Sequence, residues 1–278
     1  MKPRYEDTAQ AFDALAEGYD QLYGAGGNAV MTWMRQQSLD LLNAVFPVGS
    51  RLLEIGCGTG DEAVALAAAG RPVVATDLSP RMAAVTQAKA RAAGLADHVT
   101  ALAVPAAGVG LLRPGRPFNG AYASFGALNC EPDLSQLAAS LSRLVALGGG
   151  FVCSVMPRCS PFEIAWFLLH GRPRLALRRF KRDWQAAAIG PDVDSARLTV
   201  PTRYLTLDDL RRAFEPHFAF RRSMSLALLL PPPYLDPVFR RHRRLFSTLA
   251  KLERRLRTRR PWRAWGDHIA VVFRRVAP

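Results

Sequence analysis

The sequence contains few cysteines, and its apolar stretches are short. Its 278 residues include four cysteines, which form neither a CxxC pair nor a cysteine–histidine cluster at the spacing of zinc ligands. The longest apolar stretches, residues 161–169 and 226–230, fall far short of the roughly 20 residues that cross a bilayer. The first residues are charged and lack the apolar core of a signal peptide. We therefore expect a cytoplasmic protein without a metal site, with peripheral attachment to a membrane as an open alternative.

Positive charge is concentrated in the C-terminal half of the chain. The net charge is +14, but residues 1–156 carry 11 basic and 13 acidic side chains, a net charge of −2. Residues 157–278 carry 26 basic and 10 acidic side chains, a net charge of +16. A compositional bias of the genome would act on both halves, so we expect the C-terminal half to face something anionic.

Strand-like and helix-like segments alternate from about residue 50, which is typical of a parallel sheet flanked by helices. Strands are predicted over residues 51–55, 72–76, 98–103, 121–125, 151–156, 218–230 and 268–274. Helices are predicted over residues 10–23, 28–46, 61–69, 80–94, 133–147 and 207–214. We therefore predict an α/β fold with a seven-stranded, mostly parallel sheet. A Rossmann-like strand order with an antiparallel last strand is implied by the motif resemblance described below.

The whole chain, residues 1–278, is predicted to form a single domain with two helical cap insertions. Its parts are N-terminal helices (1–48), a cofactor-binding core (49–156), the end of the sheet (201–230 and 267–278) and two insertions (157–200 and 231–266). The first insertion is Arg-rich and does not resemble a unit of the sheet. In open α/β sheets ligands bind beyond the carboxyl ends of the parallel strands. Both insertions follow such ends, so we expect them to cap the ligand site.

A glycine-rich segment, residues 52–60 with the sequence LLEIGCGTG, joins the first predicted strand to the next helix. Its glycines allow tight turns and close approach of a ligand to main-chain N–H groups at the start of that helix. Asp77 ends the second predicted strand, where a carboxylate can accept hydrogen bonds from both hydroxyls of a ribose. The spacing is GxGxG, whereas dinucleotide-binding folds have GxGxxG. We expect a cofactor that contains ribose, and a tight turn without ligand is the alternative.

Several motifs together resemble the class I S-adenosylmethionine (SAM)-dependent methyltransferases, especially the "type 11" or quinone-methyltransferase-like group that acts on small molecules. These motifs are EIGCGTG (54–60), DLSPRM (77–82), SFGALN (124–129) and GGG (148–150), with FD (12–13) and YD (19–20) upstream. The likeness covers roughly residues 10–156 and the last strands, and it leaves out the two insertions.

The resemblance implies a cofactor role for two groups of residues near the first two strands. Gly56, Gly58 and Gly60, with Cys57 between them, would line the methionine and ribose parts of SAM. Glu54 would orient the methionine end, and Asp77 would bind the ribose hydroxyls.

The resemblance also implies how adenine and the reactive methyl group are placed. Leu78 and Met82 would flank the adenine, and Ser124 and Phe125 would lie near the methyl group. Many relatives carry an acid after the third strand that binds the adenine amino group. Here the segment is AVPA (103–106), and backbone groups at Pro105 or Ala106 are the candidate substitutes.

Four residues are candidates for contact with the methyl acceptor. His170, beside a glycine in the first insertion, is the candidate general base if the acceptor is a hydroxyl; a structural role is the alternative. Tyr23 is a lid or a core residue, and Asn129 is an acceptor contact or a turn residue. Glu163 lies on an otherwise apolar helix face, where a buried carboxylate needs a partner such as an arginine.

The predicted function is SAM-dependent methyl transfer to a small hydrophobic or lipid-like molecule, with an anionic group on that molecule as an option. Residues 226–235, LALLLPPPYL, together with Trp166 and Phe167, predict an apolar tunnel for it. The second insertion combines apolar and basic helix faces, as helices on an anionic membrane surface do. Two alternatives stay open. One is a nucleic-acid methyltransferase that uses the basic half to bind RNA, and the other is a cofactor-binding protein without transfer activity.

Overall fold

The computed structural model describes residues 5–24, 26–189 and 198–277. The strands in these ranges are β1 (Leu52–Ile55), β2 (Val73–Asp77), β3 (Val99–Ala103), β4 (Phe118–Ala123), β5 (Val145–Val155), β6 (Gln185–Ile189), β7 (Leu198–Thr202), β8 (Phe218–Leu226) and β9 (His268–Arg275). The helices are α1 (Tyr5–Leu15), α2 (Tyr19–Tyr23), α3 (Ala29–Val45), α4 (Asp61–Ala68), α5 (Pro80–Ala92), α6 (Leu134–Leu144), α7 (Pro161–Leu169), α8 (Pro173–Ala176), α9 (Leu207–Phe214), α10 (Asp236–Arg241) and α11 (Arg243–Leu256). None of them has the length and apolar character needed to cross a membrane.

Seven strands form one sheet in the order β3-β2-β1-β4-β5-β9-β8. β1, β2, β3, β4 and β5 pair in parallel, and β9 runs antiparallel to both β5 and β8. The predicted fold class is therefore confirmed. Because β9 is antiparallel, its first residue lies at the same edge of the sheet as the carboxyl ends of the parallel strands.

The structure differs from the predicted elements in several places. The helix predicted over residues 10–23 is two helices, α1 and α2, and β8 ends at Leu226, four residues earlier than predicted. β4 ends at Ala123, two residues earlier than predicted, because Phe125 adopts a left-handed backbone with φ 48°. β5 begins at Val145, where a helix was predicted, because Val145 pairs with Phe118 at the start of β4.

The first insertion is not a unit of the main sheet, as predicted. It contains a separate two-stranded antiparallel sheet, β6–β7, so the prediction that this insertion is helical was wrong for these strands.

Side-chain caps fix where several helices begin. The Ser79 hydroxyl accepts from the Met82 amide, and Pro80 occupies the first turn of α5, as the sequence predicts. Asn28 caps α3 in the same way. These caps set the direction in which α3 and α5 leave the edge of the sheet that carries the loops.

Apolar side chains cover both faces of the sheet. On one face the buried cluster includes Met34 and Leu42 of α3, Leu66 of α4 and Phe246 of α11. On the other face α6 and α9 pack against a stack of phenylalanines, Phe151, Phe214, Phe218 and Phe273. The sheet is therefore buried on both sides, as expected for parallel strands.

The second insertion is attached to the sheet by a buried carboxylate. Glu253 of α11 is fully buried, and its Oε2 accepts from the Leu229 amide at 3.0 Å. Leu229 lies just after β8, next to Ala227, which adopts a left-handed backbone with φ 55°. α11 also contacts the first insertion, since the Phe162 and Phe246 rings lie 6.0 Å apart.

We expect Gly120→Ala to destabilise the protein. A Cβ at this position in β4 would lie 2.2 Å from Cε1 of Phe46 and 2.9 Å from the carbonyl oxygen of Gly150. Overpacking of this kind costs about 1–3 kcal/mol, which urea denaturation followed by circular dichroism will measure. Gly18→Ala is the matched control, because its Cβ would meet nothing within 4 Å. Equal stability of the two variants would contradict this packing.

Candidate active site

A cavity of about 290 Å³ lies beyond the carboxyl ends of the parallel strands. One part of its wall comes from the glycine-rich loop after β1 and from the ends of β2 and β4. The rest comes from α1, α2, α3 and both insertions. Its volume is at the lower end of the range for ligand pockets, and its position matches the ligand site of open α/β sheets.

The glycine-rich loop is hydrogen-bonded to β2, and only part of the loop lines the cavity. The amides of Gly56 and Cys57 both donate to the Thr76 carbonyl, at 2.8 and 2.9 Å. A Cβ at Gly56 would lie 2.4 Å from Cβ of Ala127, so this close approach requires glycine. Gly60 begins α4 and faces Thr86 of α5, so it packs the loop on α5 and does not line the cavity.

Asp77 is the main polar group of the wall next to this loop. Its Oδ2 accepts from the Gly58 amide at 2.8 Å, and its Oδ1 accepts from the Ser79 amide at 2.9 Å. Burial raises the pKa of the Asp77 carboxyl to about 6, against the opposing effect of these two hydrogen bonds. Each oxygen keeps acceptor capacity, which matches the two hydroxyls of a ribose.

Apolar side chains flank Asp77 along the wall. Leu78, Met82, Val104 and Ala106 all line the cavity. A carboxylate with spare acceptor sites beside an apolar slot fits the ribose and adenine of SAM. The predicted cofactor residues Gly56, Cys57, Gly58, Asp77, Leu78, Met82, Ala106, Ser124 and Phe125 all line this one cavity.

Glu54 lies beneath the loop and outside the cavity wall. Only 1% of it is exposed, and neither carboxylate oxygen has a hydrogen-bond partner among the described residues. Burial and the nearby charge of Glu62 raise its pKa well above the usual value. The Tyr122 hydroxyl is the polar group beside this carboxyl, and a direct contact between Glu54 and the methionine end of SAM stays a prediction.

A charged network that the sequence did not reveal attaches the N-terminal helices to the loop. Nη1 and Nε of Arg35, on α3, pair with Asp61 and Glu62 at 2.7 Å each. Lys89 of α5 pairs with Asp61 and, at 2.8 Å, with Asp20 of α2. The network holds Tyr19 and Tyr23 of α2 against the cavity, with their rings 5.0 Å apart.

The wall opposite the glycine-rich loop contains a second buried network. Arg179 pairs with Glu163 at 2.6 Å and with Asp267 at 2.7 Å. The other oxygen of Asp267 lies 2.9 Å from Nδ1 of His268. Arg178 donates to Glu163 at 2.9 Å. Arg178, Arg179, Asp267 and His268 all line the cavity, and none of them was a candidate from the sequence.

The sequence does contain a signal for the second network, namely the Asp267–His268 pair at the start of the last strand. The last strand of this fold is antiparallel, so an Asp–His pair at its start must lie at the ligand edge of the sheet. Glu163 was predicted to need an arginine partner, and the structure gives it Arg178 and Arg179.

The structure brings only Tyr23 of the four candidate acceptor residues into the cavity wall. Asn129 is fully buried and accepts from the Met156 amide at 2.8 Å while it donates to the carbonyls of Met156 and Arg203. Glu163 lies behind Arg178 and Arg179. His170 is exposed at the end of α7, with Nδ1 2.7 Å from the Trp166 carbonyl oxygen. Among the described residues, no group of three or more potential ligands is placed to hold a metal ion.

We expect the affinity for S-adenosylhomocysteine (SAH) to fall as the pH decreases below 6. Ribose hydroxyls donate to the ionised carboxylate of Asp77, whose pKa is about 6, so protonation weakens binding by up to about tenfold per pH unit. Isothermal titration calorimetry between pH 5 and 8 measures this.

Asp77→Asn should bind SAH roughly 10- to 100-fold more weakly at pH 8, the loss expected for hydrogen bonds to a charged group, and should lose this pH dependence. The wild-type protein, measured at the same pH values, is the reference. Asp13, whose carboxylate contacts the Ser79 hydroxyl, is unchanged in both proteins. Unchanged affinity in Asp77→Asn would refute this role.

Comparison with protein-family models matches residues 52–149 to the family described as "Methyltransferase domain". A curated relative, the demethylmenaquinone methyltransferase of Bacillus licheniformis, is 28% identical over 169 residues. The aligned region is 56% of this chain and 66% of the relative, so it spans just under two thirds of the relative's length.

Solved structures with the same fold match most of the chain. The [4+2]-cyclase SpnF has a TM-score of 0.65 at 14% identity, over 100% of this chain and 98% of that chain. The glycopeptide N-methyltransferase MtfA, solved with SAH, has a TM-score of 0.54 at 18% identity, over 86% of this chain and 88% of that chain. At these identities, the likeness shows the fold alone.

The motifs, the sheet order and the family match at residues 52–149 agree with one another. The resemblance to class I SAM-dependent methyltransferases, with the enzyme class and the SAM cofactor that it implies, is confirmed for the segment that matches the methyltransferase-domain family, residues 52–149.

Proposed function

We propose that this protein transfers the methyl group of SAM to a small, largely apolar acceptor that carries an ionisable or anionic oxygen group. One observation carries the proposal. A single cavity joins the cofactor loop, with Asp77, to an apolar wall that contains Arg178. Groups suited to a donor and groups suited to an acceptor therefore line the same cavity.

The cofactor end of the cavity is formed by residues of the core. Asp77 would hold the ribose, Leu78 and Met82 would hold the adenine, and the loop at Gly56 and Gly58 would hold the methionine part. When bound, SAM supplies an activated methyl group whose carbon–sulfur bond breaks with the electron pair passing to sulfur. The protein aligns the acceptor with that group and excludes water.

The acceptor end is mainly apolar. The β6–β7 hairpin contributes Ala187, Ala188, Ile189 and Val200, and the second insertion contributes Tyr234. These side chains favour a hydrophobic acceptor over a sugar or a nucleotide. The name of the curated relative gives demethylmenaquinone, a quinone, as its acceptor, which supports an apolar ring compound here.

Arg178 gives this apolar wall a positive group. Its Nε donates to Glu163, whereas its Nη groups have no hydrogen-bond partner among the described residues. The guanidinium carbon lies 5.7 Å from the ring centroids of both Phe167 and Tyr234. A guanidinium with free N–H groups between two aromatic rings favours a carboxylate, phosphate or phenolate on the acceptor.

The exposed faces of the insertions favour supply of the acceptor from an anionic lipid surface. On α11 the exposed Leu245 and Leu252 lie one heptad apart, flanked by Arg244, Lys251 and Arg255. None of these three basic side chains has an acidic partner among the described residues. Exposed apolar side chains on the first insertion are Leu168, Leu169, Leu177 and Phe180. Apolar side chains with unpaired cations between them are typical of interfacial helices.

The alternative of a protein that binds the cofactor without transferring its methyl group has one specific observation in its favour. The SpnF structure shows that a cyclase has this fold. Incubation with methyl-labelled SAM and a lipid extract of cells, followed by mass spectrometry of the labelled product, separates the two functions. A labelled small molecule is the expected result. SAM binding without any labelled product would refute the proposal.

We expect Arg178→Ala to raise the KM for the labelled acceptor roughly 10- to 100-fold, the loss expected for hydrogen bonds to a charged group, with little change in SAH affinity. Arg174→Ala, an exposed arginine on α8, is the matched control. A KM that is the same for Arg178→Ala and Arg174→Ala would exclude an anionic group at Arg178.

We expect the protein to bind vesicles of phosphatidylcholine mixed equally with phosphatidylglycerol, and not vesicles of phosphatidylcholine alone. Because each basic residue near such a surface contributes about 1 kcal/mol, the double variant Arg244→Glu/Arg255→Glu should bind at least tenfold more weakly in a sedimentation assay.

The matched control for the vesicle assay is Arg113→Glu/Arg116→Glu, at the opposite edge of the sheet, before β4. If both double variants lose vesicle binding equally, the binding depends on net charge alone and not on the exposed face of α11. A salt-sensitive gel shift with RNA, without vesicle binding, would favour the nucleic-acid alternative.

A further inference from the structure

The Asp–His pair at the start of β9 lies inside the cavity, although β9 belongs to the far end of the sheet. Asp267 and His268 both line the cavity, and they are 3% and 6% exposed. They reach it because β9 runs antiparallel to its neighbours. The cofactor motifs do not account for either residue.

Asp267 is held as an anion and fixed in orientation. Burial would raise the pKa of its carboxyl, but the Arg179 guanidinium and the His268 ring outweigh this and hold that pKa below the usual range. Nη2 of Arg179 donates to Oδ1 of Asp267 at 2.7 Å, and Nη1 donates to its carbonyl oxygen at 2.9 Å. The Asp267 amide donates to the Ala227 carbonyl at 2.9 Å.

The anionic carboxylate determines which nitrogen of His268 carries the proton. Nδ1 of His268 lies 2.9 Å from Oδ2 of Asp267, so Nδ1–H is the donor to that oxygen. In the neutral ring Nε2 is then an acceptor with a free lone pair. Nε2 has no hydrogen-bond partner among the described residues.

The His268 ring lies beside the segment after β4 where the methyl group is expected. Its centroid is 5.7 Å from that of the Phe125 ring, edge to face. A Cβ built on Gly126 would lie 3.9 Å from Nε2 of His268. The basic nitrogen therefore faces the part of the cavity where the acceptor oxygen must lie for transfer.

Charges around His268 are balanced. Arg179 lies between Asp267 and Glu163, and Arg178 also pairs with Glu163. Two phenols also belong to this region: Tyr204, whose ring lies 5.1 Å from the guanidinium carbon of Arg179, and Tyr234, which lines the cavity. Two cations, Arg178 and Arg179, therefore face two carboxylates, Glu163 and Asp267.

Other carboxylates in the cavity wall are already engaged. Asp61 and Glu62 pair with Arg35, and Glu131 accepts from the Tyr5 hydroxyl at 2.7 Å. Asp77 is bound to the cofactor loop. Among the described residues that line the acceptor side, His268 is therefore the group with a free basic atom.

We propose that His268, oriented by Asp267, is the general base that removes the proton from a hydroxyl group of the acceptor, so that the enzyme is an O-methyltransferase. This inference rests on the proposed function, and it identifies the methylated group of the acceptor as a hydroxyl. The acceptor oxygen forms the new bond to the methyl carbon with its own electron pair, while its proton passes to Nε2 of His268. The proton later leaves to solvent. General base catalysis of this kind contributes about 10²- to 10⁴-fold in rate.

The first test needs no cofactor. In protein labelled with ¹⁵N-histidine, NMR at pH 8 should show His268 as a neutral ring protonated at Nδ1, its signal identified by its absence in His268→Gln. A ring protonated at Nε2, or at both nitrogens, would overturn the proposal, since Nε2 cannot accept a proton in either form.

The second test compares transfer rates from labelled SAM to the lipid extract. His268→Gln should lower the rate at least 100-fold at pH 7 and regain part of it at high pH, where the acceptor hydroxyl ionises unaided. Its SAH affinity should stay within twofold of wild type. His98→Gln, an exposed histidine before β3, is the matched control, and the label should reside in an O–CH₃ group.

The outcomes separate this inference from the proposed function. No labelled product with the wild-type protein refutes the proposed function and the base together. A product formed equally fast by His268→Gln refutes only the base, as does label in an N–CH₃ or C–CH₃ group. Loss of the rate in His170→Gln and not in His268→Gln would assign the base to His170 and overturn the proposal.

Discussion

The acceptor side of the cavity depends on one buried guanidinium. Arg179 is 4% exposed and bridges Glu163 on α7 to Asp267 at the start of β9. Removing one partner from such a group leaves an uncompensated buried charge, which costs about 3–5 kcal/mol. Arg179 therefore fixes the first insertion relative to the last strand. Because Asp267 contacts the His268 ring, the same ion pairs also orient that ring.

The cofactor side is organised by a second arginine in a comparable way. Arg35 of α3 pairs with Asp61 and Glu62 in the first turn of α4, directly after the glycine-rich loop. This places acids at a helix N-terminus, where the helix dipole also favours them. The N-terminal helices are thus attached to the loop by charge, and the apolar cluster of α3 attaches them to the sheet. Each half of the cavity is therefore held by its own network of ion pairs, and each network joins elements that are distant in sequence.

Local sequence patterns predicted the sheet and the cofactor loop because their determinants are local. The strand–glycine–helix unit at 52–68, Asp77 at the end of β2 and the Ser79–Pro80 cap each depend on a few adjacent residues. The antiparallel last strand followed from the motif resemblance to a known family. The β6–β7 hairpin was missed because its short apolar strands lie in a segment dominated by arginine.

The acceptor side was harder to predict because its determinants are long-range pairings. His170 was chosen for its place in the insertion, yet it lies exposed at a helix end, whereas His268 was passed over as the first residue of a strand. The antiparallel last strand already places this residue at the ligand edge of the sheet, but only its contact with Asp267 and its position in the cavity wall show that the ring faces the ligand. Asn129 was a candidate for contact with the methyl acceptor because it follows β4, but its side-chain amide is hydrogen-bonded to backbone groups of Met156 and Arg203. Burial and partner identity, which single-sequence patterns do not encode, decide these cases.

The buried Glu253 has a consequence for how this enzyme can diversify. Its carboxylate holds the Leu229 amide, and two residues earlier the Ala227 carbonyl accepts from the Asp267 amide. The surface helix α11 and the peptide that carries the Asp267–His268 pair are therefore two ends of one short hydrogen-bonded linkage. A substitution at Glu253 or in the turn after β8 therefore reaches the Asp267–His268 pair through two hydrogen bonds, so we expect α11 and this pair to vary together among related sequences.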